Sequence, residues 1–218
     1  MSKQIKIAIV DDHDLVCESF ALALKTNNAF KVVATANNGK QLIELLSSTK
    51  PDIILLDLEM PIFNGWDTLE YLHKNLIPCR TIVVSMHFRT QWINDLASKG
   101  ARGFLPKNID LLTLTNAILE VNTVGYYFSS KVNKKLVSEL VATNRIFPTF
   151  SSANLNPSEI QVLRLICQDK ITKEIADSIN SSVRTAERIR ATLYEKTNTR
   201  TPAGLLLFAL KQGIVSFN

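Results

Sequence analysis

Apolar and polar positions in the first 122 residues follow two alternating periods. Short apolar runs predict five strands: "IKIAIV" at 5–10, "KVVATA" at 31–36, "DIILLDL" at 52–58, "TIVVSM" at 81–86 and "GFL" at 103–105. Between and after them, 13–26, 40–49, 65–76, 89–99 and 110–122 carry apolar residues at helical spacing. Five βα units with short connections predict an α/β domain, a parallel sheet with helices on both faces. In the third run, four of the five residues before Asp57 are Ile or Leu, the signature of a strand covered on both sides. A bare carboxylate at the end of such a strand is costly unless it is paired or functional.

Beyond residue 128 the pattern changes. "SSKVNKKLVSELVA" places Val132, Leu136, Val137, Leu140 and Val141 on one helical stripe. The polar, Ser/Asn-rich "TNRIFPTFSSANLN" that follows, with Pro148, reads as a linker, and the domain boundary is expected near 145–155. No strand pattern appears past it. Four helices are predicted instead, over 157–168, 172–179, 183–197 and 201–212. The expected organisation is residues 1–125 as the α/β domain, 126–153 as a linker with a helix, and 154–218 as an all-α domain.

The composition, 46% hydrophobic and 21% charged over 218 residues, is that of an ordinary globular protein. No apolar run approaches the ~20 residues that span a bilayer. The N-terminus passes directly into a strand without signal-peptide features, so a cytoplasmic chain is expected. Cys17, Cys79 and Cys167 are scattered and odd in number, which indicates small buried hydrophobes rather than a disulfide framework or zinc site. Net charge is +5, unevenly spread. Residues 1–122 hold 12 Lys+Arg against 13 Asp+Glu, residues 123–150 hold 4 against 1, and residues 151–218 hold 9 against 6. The positive excess therefore lies in the second half, as suits a region that meets a polyanion.

Asp11 and Asp12 end the first predicted strand, and Asp57 ends the third. In a doubly wound sheet these carboxylates meet in the crevice at the carboxyl ends of the strands. Three clustered carboxylates repel one another unless a cation sits among them, and hard oxygen ligands suit Mg²⁺. One carboxylate is then available as a nucleophile. Taken singly, each Asp reads better as a turn former or helix cap, and it is the adjacent pair with a third carboxylate two strands later that favours the functional reading. Ser85 at the end of the fourth strand and Lys107 after the fifth point to the same crevice. A hydroxyl and an ammonium there suit the oxygens of a phosphoryl group on Asp57.

With these residues placed, "VDDHD", "LLDLEMPIFNG", "VSMH" and "GFLPK" make residues 5–122 resemble the receiver domain of two-component response regulators. The resemblance implies a flavodoxin-like doubly wound (βα)5 fold and phosphorylation of Asp57 by a histidine kinase. It also implies Mg²⁺ held by Asp12, Asp57 and the backbone carbonyl of Glu59, with Asp11 acting through water. Ser85 and Lys107 would bind the phosphoryl oxygens, and Phe104 would be the aromatic that repacks with the switch. The chain departs from the common pattern in placing Pro106 before Lys107 rather than after it. Glu59 and His87 flank the site, and His87 is expected to be a surface side chain.

In the second half, "TKEIADSINSSVRTAERIRATLYEKT" carries two amphipathic helices around a short Ser-Ser turn, as in a helix-turn-helix. Ile175, Ala176 and Ile179 form one apolar stripe; Val183, Ala186, Ile189 and Leu193 form the other, with Ser182 as N-cap. Arg184, Thr185 and Arg188 lie on the opposite face, flanked by Glu187 and Arg190, while Lys173 and Arg200 suit phosphate anchoring. "KEIA", "SVRT" and the closing "ALKQGIV" make residues 155–215 resemble the LuxR-type DNA-binding domain. That resemblance makes 183–197 the recognition helix, with Glu187, Arg188 and Ala191 towards base edges. Because Ala191 offers no hydrogen bond, specificity would lean on Arg188, Glu187 and DNA shape. Thr197 and Thr199 replace residues that are commonly apolar, so weaker packing is expected there. The run "AGLLLFAL" at 203–210 is expected to form a dimer surface, partly buried against the recognition helix.

The sequence thus reads as a NarL/LuxR-type regulator rather than an enzyme, with DNA, a sensor histidine kinase and a second copy of the chain as partners. A haloacid-dehalogenase-like phosphatase would need D-x-D on the first strand. A phosphorylation-independent accessory regulator acting through protein partners would usually have lost the acidic pair or the lysine, and this chain keeps both.

Overall fold

In the computed structural model, residues 4–87, 92–127, 153–168 and 170–215 are described. The chain divides into two compact units, Met1–Asn122 and Thr123–Asn218. The helix expected over 129–142 and most of the expected linker lie outside the described residues, as do residues 89–91 of the helix expected over 89–99.

The first unit runs β1 (Ile5–Val10), α1 (Asp14–Lys25), β2 (Phe30–Ala36), α2 (Gly39–Thr49), β3 (Ile53–Leu56), α3 (Gly65–Lys74), β4 (Arg80–Ser85), α4 (Ile93–Ser98), β5 (Ala101–Pro106) and α5 (Leu111–Thr123). All strand pairs are parallel in the order β2-β1-β3-β4-β5, the flavodoxin-like doubly wound topology expected. The four residues of β3 are all buried, as their unbroken apolar run requires of a central strand. Asn38 and Asn64 cap α2 and α3 by accepting from the backbone N–H of Gln41 and Asp67.

Register places the functional positions. Val10 faces Leu56, and the Asp57 N–H donates to the Val10 carbonyl at 2.9 Å, so the residue following each strand lies at the same edge of the sheet. Ser85 pairs with Pro106, and the Lys107 N–H donates to the Ser85 carbonyl at 3.1 Å. Pro106 is tolerated as the last residue of an edge strand, where a missing N–H costs no ladder. Gly65 is required for a different reason. A Cβ there would lie 2.0 Å from the Asp57 carbonyl oxygen and 2.6 Å from Leu58 Cα, both backbone atoms that cannot step aside.

The second unit contains, among its described residues, α6 (Pro157–Cys167), α7 (Thr172–Ser178), α8 (Val183–Thr197) and α9 (Pro202–Lys211). Asn156 and Glu159 form a reciprocal capping box on α6, and Ser182 caps α8 through the Thr185 N–H. Asn180 takes a left-handed φ of 50° between α7 and α8, a conformation that its short polar side chain tolerates. Ile175, Ala176, Ala186 and Leu193 are buried, but Val183 is 44% exposed and leaves the expected stripe. It is the first residue of α8, so its side chain leans back past the helix start, where no preceding turn covers it.

Two further expectations fail for physical reasons. Leu205, Leu206, Leu207, Phe208 and Ala209 are all buried within the chain, so this run is core and offers no apolar dimer surface. Thr197 and Thr199 do not loosen the packing. Both are buried, their hydroxyls lie 2.9 Å apart, and the Thr197 hydroxyl donates to the Leu193 carbonyl at 2.7 Å. Cys17 and Cys167 are buried and Cys79 half-buried, and none forms a disulfide.

Gly65→Ala is expected to destabilise the first unit by roughly 1–3 kcal/mol through overpacking against rigid backbone, read as a lower urea midpoint by circular dichroism. The hydroxyl pair predicts non-additivity. Thr197→Val strands the buried Thr199 hydroxyl and should cost about 1–3 kcal/mol, whereas the double Thr197→Val/Thr199→Val chain should recover much of that loss. Denaturant titration of the four chains checks this, and simple additivity would refute it.

Candidate functional site

Three loops at the carboxyl ends of β1, β3 and β5 bring their charges together. Lys107 Nζ lies 2.6 Å from Asp11 Oδ2 and 2.9 Å from Asp57 Oδ2, and all three side chains are over nine-tenths buried. Asp57 Oδ1 accepts the Leu58 N–H at 2.8 Å, and Asp11 Oδ1 accepts the His13 N–H at 3.0 Å. The Asp57 carboxyl is held above its ordinary range because burial outweighs the hydrogen bond and charge of Lys107. For Lys107, burial alone would pull the ammonium down, but Asp11 and Asp57 together raise it. One ammonium shared by two carboxylates leaves a net charge of −1, and Asp12 brings the crevice to −2.

That deficit bears on a metal. Asp12 Oδ1 is a buried oxygen with no hydrogen bond, although His13 Nδ1 stands 2.8 Å away outside hydrogen-bond geometry. Ligand atoms of Asp11, Asp12 and His13 lie within 4.8 Å of one another. An orphaned Asp12 oxygen beside the Asp11 carboxylate, in a crevice short of positive charge, fits a divalent cation such as Mg²⁺, for which the carboxylates rather than the His13 ring are the suited donors.

The flanking residues are also in place. Ser85 is buried, and its Oγ accepts the His87 N–H at 3.3 Å. The exposed His87 ring sits on Glu59, with Nδ1 2.9 Å from Oε2, so the loops after β3 and β4 are joined by a surface hydrogen bond. Phe104 is buried in β5. Sequence reasoning missed His13 as a backbone donor and near neighbour of both acidic residues. Its position immediately after the acidic pair was the available signal.

On α8, the side chains of Arg184, Glu187, Arg188 and Ala191 form one exposed stripe, at spacings of three and four. Lys173 and Arg200 are exposed as well, and neither they nor Arg184 and Arg188 make an ion pair with another described residue. Thr185 is only half-buried on this face, and its hydroxyl lies 2.9 Å from that of Ser182 at the cap. Arg190, which flanks the stripe, instead donates to the Thr172 hydroxyl at 2.6 Å and ties α8 to the start of α7.

Residues 7–119 match the response regulator receiver domain family. The chain is 32% identical over 213 residues to the transcriptional regulatory protein MctR of Rhizobium johnstonii, covering 98% of this chain and 96% of that protein. It superposes on a LuxR-family two-component response regulator from Aurantimonas at a TM-score of 0.57 and 25% identity, over 64% of this chain and 99% of that one. The fold extends to Salmonella RcsB, at a TM-score of 0.54 and 21% identity over 93% of this chain and 96% of that one. With its acidic crevice on a doubly wound sheet and its helix-turn-helix, the chain belongs to the two-component response regulators of the NarL/LuxR type, DNA-binding regulators of transcription.

Proposed function

We propose that Asp57 accepts a phosphoryl group from a sensor histidine kinase and that this step controls sequence-specific DNA binding through α8. The observation that carries the reading is the buried Asp57 carboxylate, joined to Lys107 at 2.9 Å beside Asp11 and Asp12. An Asp57 carboxylate oxygen attacks the phosphorus of the phosphohistidine donor. The P–N bond breaks, and the leaving imidazole keeps the electron pair and takes up a proton. Lys107 Nζ then turns from the carboxylates to a phosphoryl oxygen. The Ser85 hydroxyl, which accepts from His87, still has its own proton to donate to another. Asp11, Asp12, Asp57 and the Glu59 carbonyl would hold Mg²⁺, which when bound neutralises the carboxylates and the phosphoryl oxygens. Movement of Ser85 towards the new anion leaves space that Phe104 repacks to fill.

In this reading residues 1–125 receive the signal, 126–153 connect, and 154–218 bind DNA. The chain acts as a regulator in the cytoplasm rather than as an enzyme. Among the described residues no helix is long and apolar enough to cross a membrane. RcsB, whose structure was determined on promoter DNA with the phosphomimetic BeF3-, supports the DNA partner by analogy of fold. A small helical module covers little DNA, so the active form is a homodimer on repeated half-sites. Arg184 and Arg188 meet bases or phosphates, with Thr185, Glu187 and Ala191 beside them, while Lys173 and Arg200 grip the backbone.

DNA capture and sequencing with the full chain, with and without acetyl phosphate, tests the gating. Acetyl phosphate should raise occupancy of selected sites for the wild type and leave Asp57→Ala unchanged. Equal occupancy in all conditions would sink phosphorylation gating, and no selective capture at all would favour an accessory regulator acting on protein partners. On selected DNA, Arg188→Ala should cost about 1–3 kcal/mol and relax specificity at one position. Lys173→Ala should weaken all sequences alike and lower the salt slope by about 1. Fluorescence anisotropy over a salt series separates the two effects.

A further inference from the structure

The amino end of the sheet, opposite the acidic crevice, holds an open cleft of about 700 Å³. Its wall is apolar, formed by Ile43 and Leu46 of α2, Tyr71 of α3, and Ile77 and Pro78 before β4. That volume lies within the range of small-molecule sites, roughly 300–1,000 Å³. The charged groups of the cleft are few, and two of the three are cationic. Lys6 and Lys50 both line it, and neither makes an ion pair with another described residue. The one carboxylate present, Asp52, is held by the backbone: its Oδ2 accepts the Lys6 N–H at 2.9 Å. Two lysines against one aspartate leave the rim at +1.

The backbone of Lys50 is set by the end of α2. It ends α2 with a left-handed φ of 44°, and its N–H donates to the Leu46 carbonyl at 3.0 Å. A residue with a Cβ takes this conformation at some cost, and it turns the backbone out of the helix at a residue that lines the cleft.

We propose that this cleft binds a small amphipathic monoanion, a medium-chain aliphatic carboxylate, with the chain against Ile43, Leu46 and Ile77 and the carboxylate between Lys6 and Lys50. Apolar wall and cationic rim select together. A neutral chain of equal length leaves both ammonium groups without a partner, and a small hydrophilic anion leaves the wall wet. A dianion exceeds the +1 of the rim. The site lies in the phosphoacceptor unit but shares no residue with the acidic crevice, so it stands or falls independently of phosphorylation at Asp57.

Cys79 provides a reporter, because it lines the cleft and is half-buried, whereas Cys17 and Cys167 are buried. Burial pushes its thiol up to about 11, so alkylation is slow and shielding by a bound ligand is easily timed. The test uses the full chain with decanoate below its micellar range, decanol at the same concentration, and acetate. Decanoate should bind saturably with one site by calorimetry and slow Cys79 alkylation, read by peptide mass spectrometry. Decanol and acetate should do neither. Lys6→Gln and Lys50→Asn, the latter keeping a residue that accepts a left-handed φ, should each weaken decanoate roughly fivefold. Lys31→Gln, on β2 outside the cleft, should leave it unchanged. Non-saturable uptake, equal binding of decanol, unaltered affinity in the Lys6→Gln/Lys50→Asn double variant, or unprotected Cys79 would each overturn the proposal.

Discussion

The carboxyl edge of the first unit depends on one ammonium. Lys107 Nζ stands between Asp11 and Asp57 at contact distances, in a place from which water is largely excluded. Burying two carboxylates without that cation would cost several kcal/mol each, more than most domains can spare. The cation does not complete the neutralisation, because two carboxylates share it and Asp12 adds a third charge nearby. A site built this way is stable enough to fold and still short of positive charge. In the proposed function it would accept a divalent cation and exchange a carboxylate partner of Lys107 for a phosphoryl one.

The backbone makes that economy possible. β1 and β3 are in register up to Val10 and Leu56, and the Asp57 N–H donates to the Val10 carbonyl, so the backbone alone sets Asp11 and Asp57 at one edge of the sheet. Gly65 lets α3 begin close against the Asp57 carbonyl, where a side chain has no room. The two ends of the same sheet then differ in character. The carboxyl end is acidic and short of cations, while the amino end beside α2 presents Lys6 and Lys50 over an apolar wall. Only the four residues of β3 separate Asp52 at one end from Asp57 at the other.

Much of this was legible in the sequence, and for identifiable reasons. Strand runs of Ile, Leu and Val between helical stretches define a parallel sheet, and in such a sheet residues at strand ends converge whatever their separation along the chain. Asp11, Asp57, Ser85 and Lys107 could be brought together on that ground alone. The direct bridge from Lys107 to both carboxylates could not, since side-chain reach depends on loop geometry that periodicity does not carry. Burial was misread where pattern shows that a residue is covered but not by what. The run at 203–210 reads as a dimer surface only partly buried on α8, yet Leu205 to Ala209 are all buried within the chain. Thr197 and Thr199 looked like packing faults, because a hydroxyl counts as polar until its neighbour is known to be another hydroxyl.

The second unit shows where a switch can and cannot act. α8 is fixed at its start by the Ser182 cap and the left-handed Asn180, and it is tied to α7 by Arg190 on Thr172. Its far end closes on the left-handed Asn198 and the buried threonine pair. The ion pair of Lys196 with Glu159 of α6 adds a further tie. The exposed stripe of Arg184, Glu187, Arg188 and Ala191 is therefore presented on a helix held at both ends. Reshaping that helix would break several satisfied interactions at once, each of order 1 kcal/mol. Changing how many copies of the helix meet one DNA, or whether DNA can reach it, breaks none of them. Control of the proposed kind would therefore act on access to the helical unit and on its assembly rather than on the shape of α8.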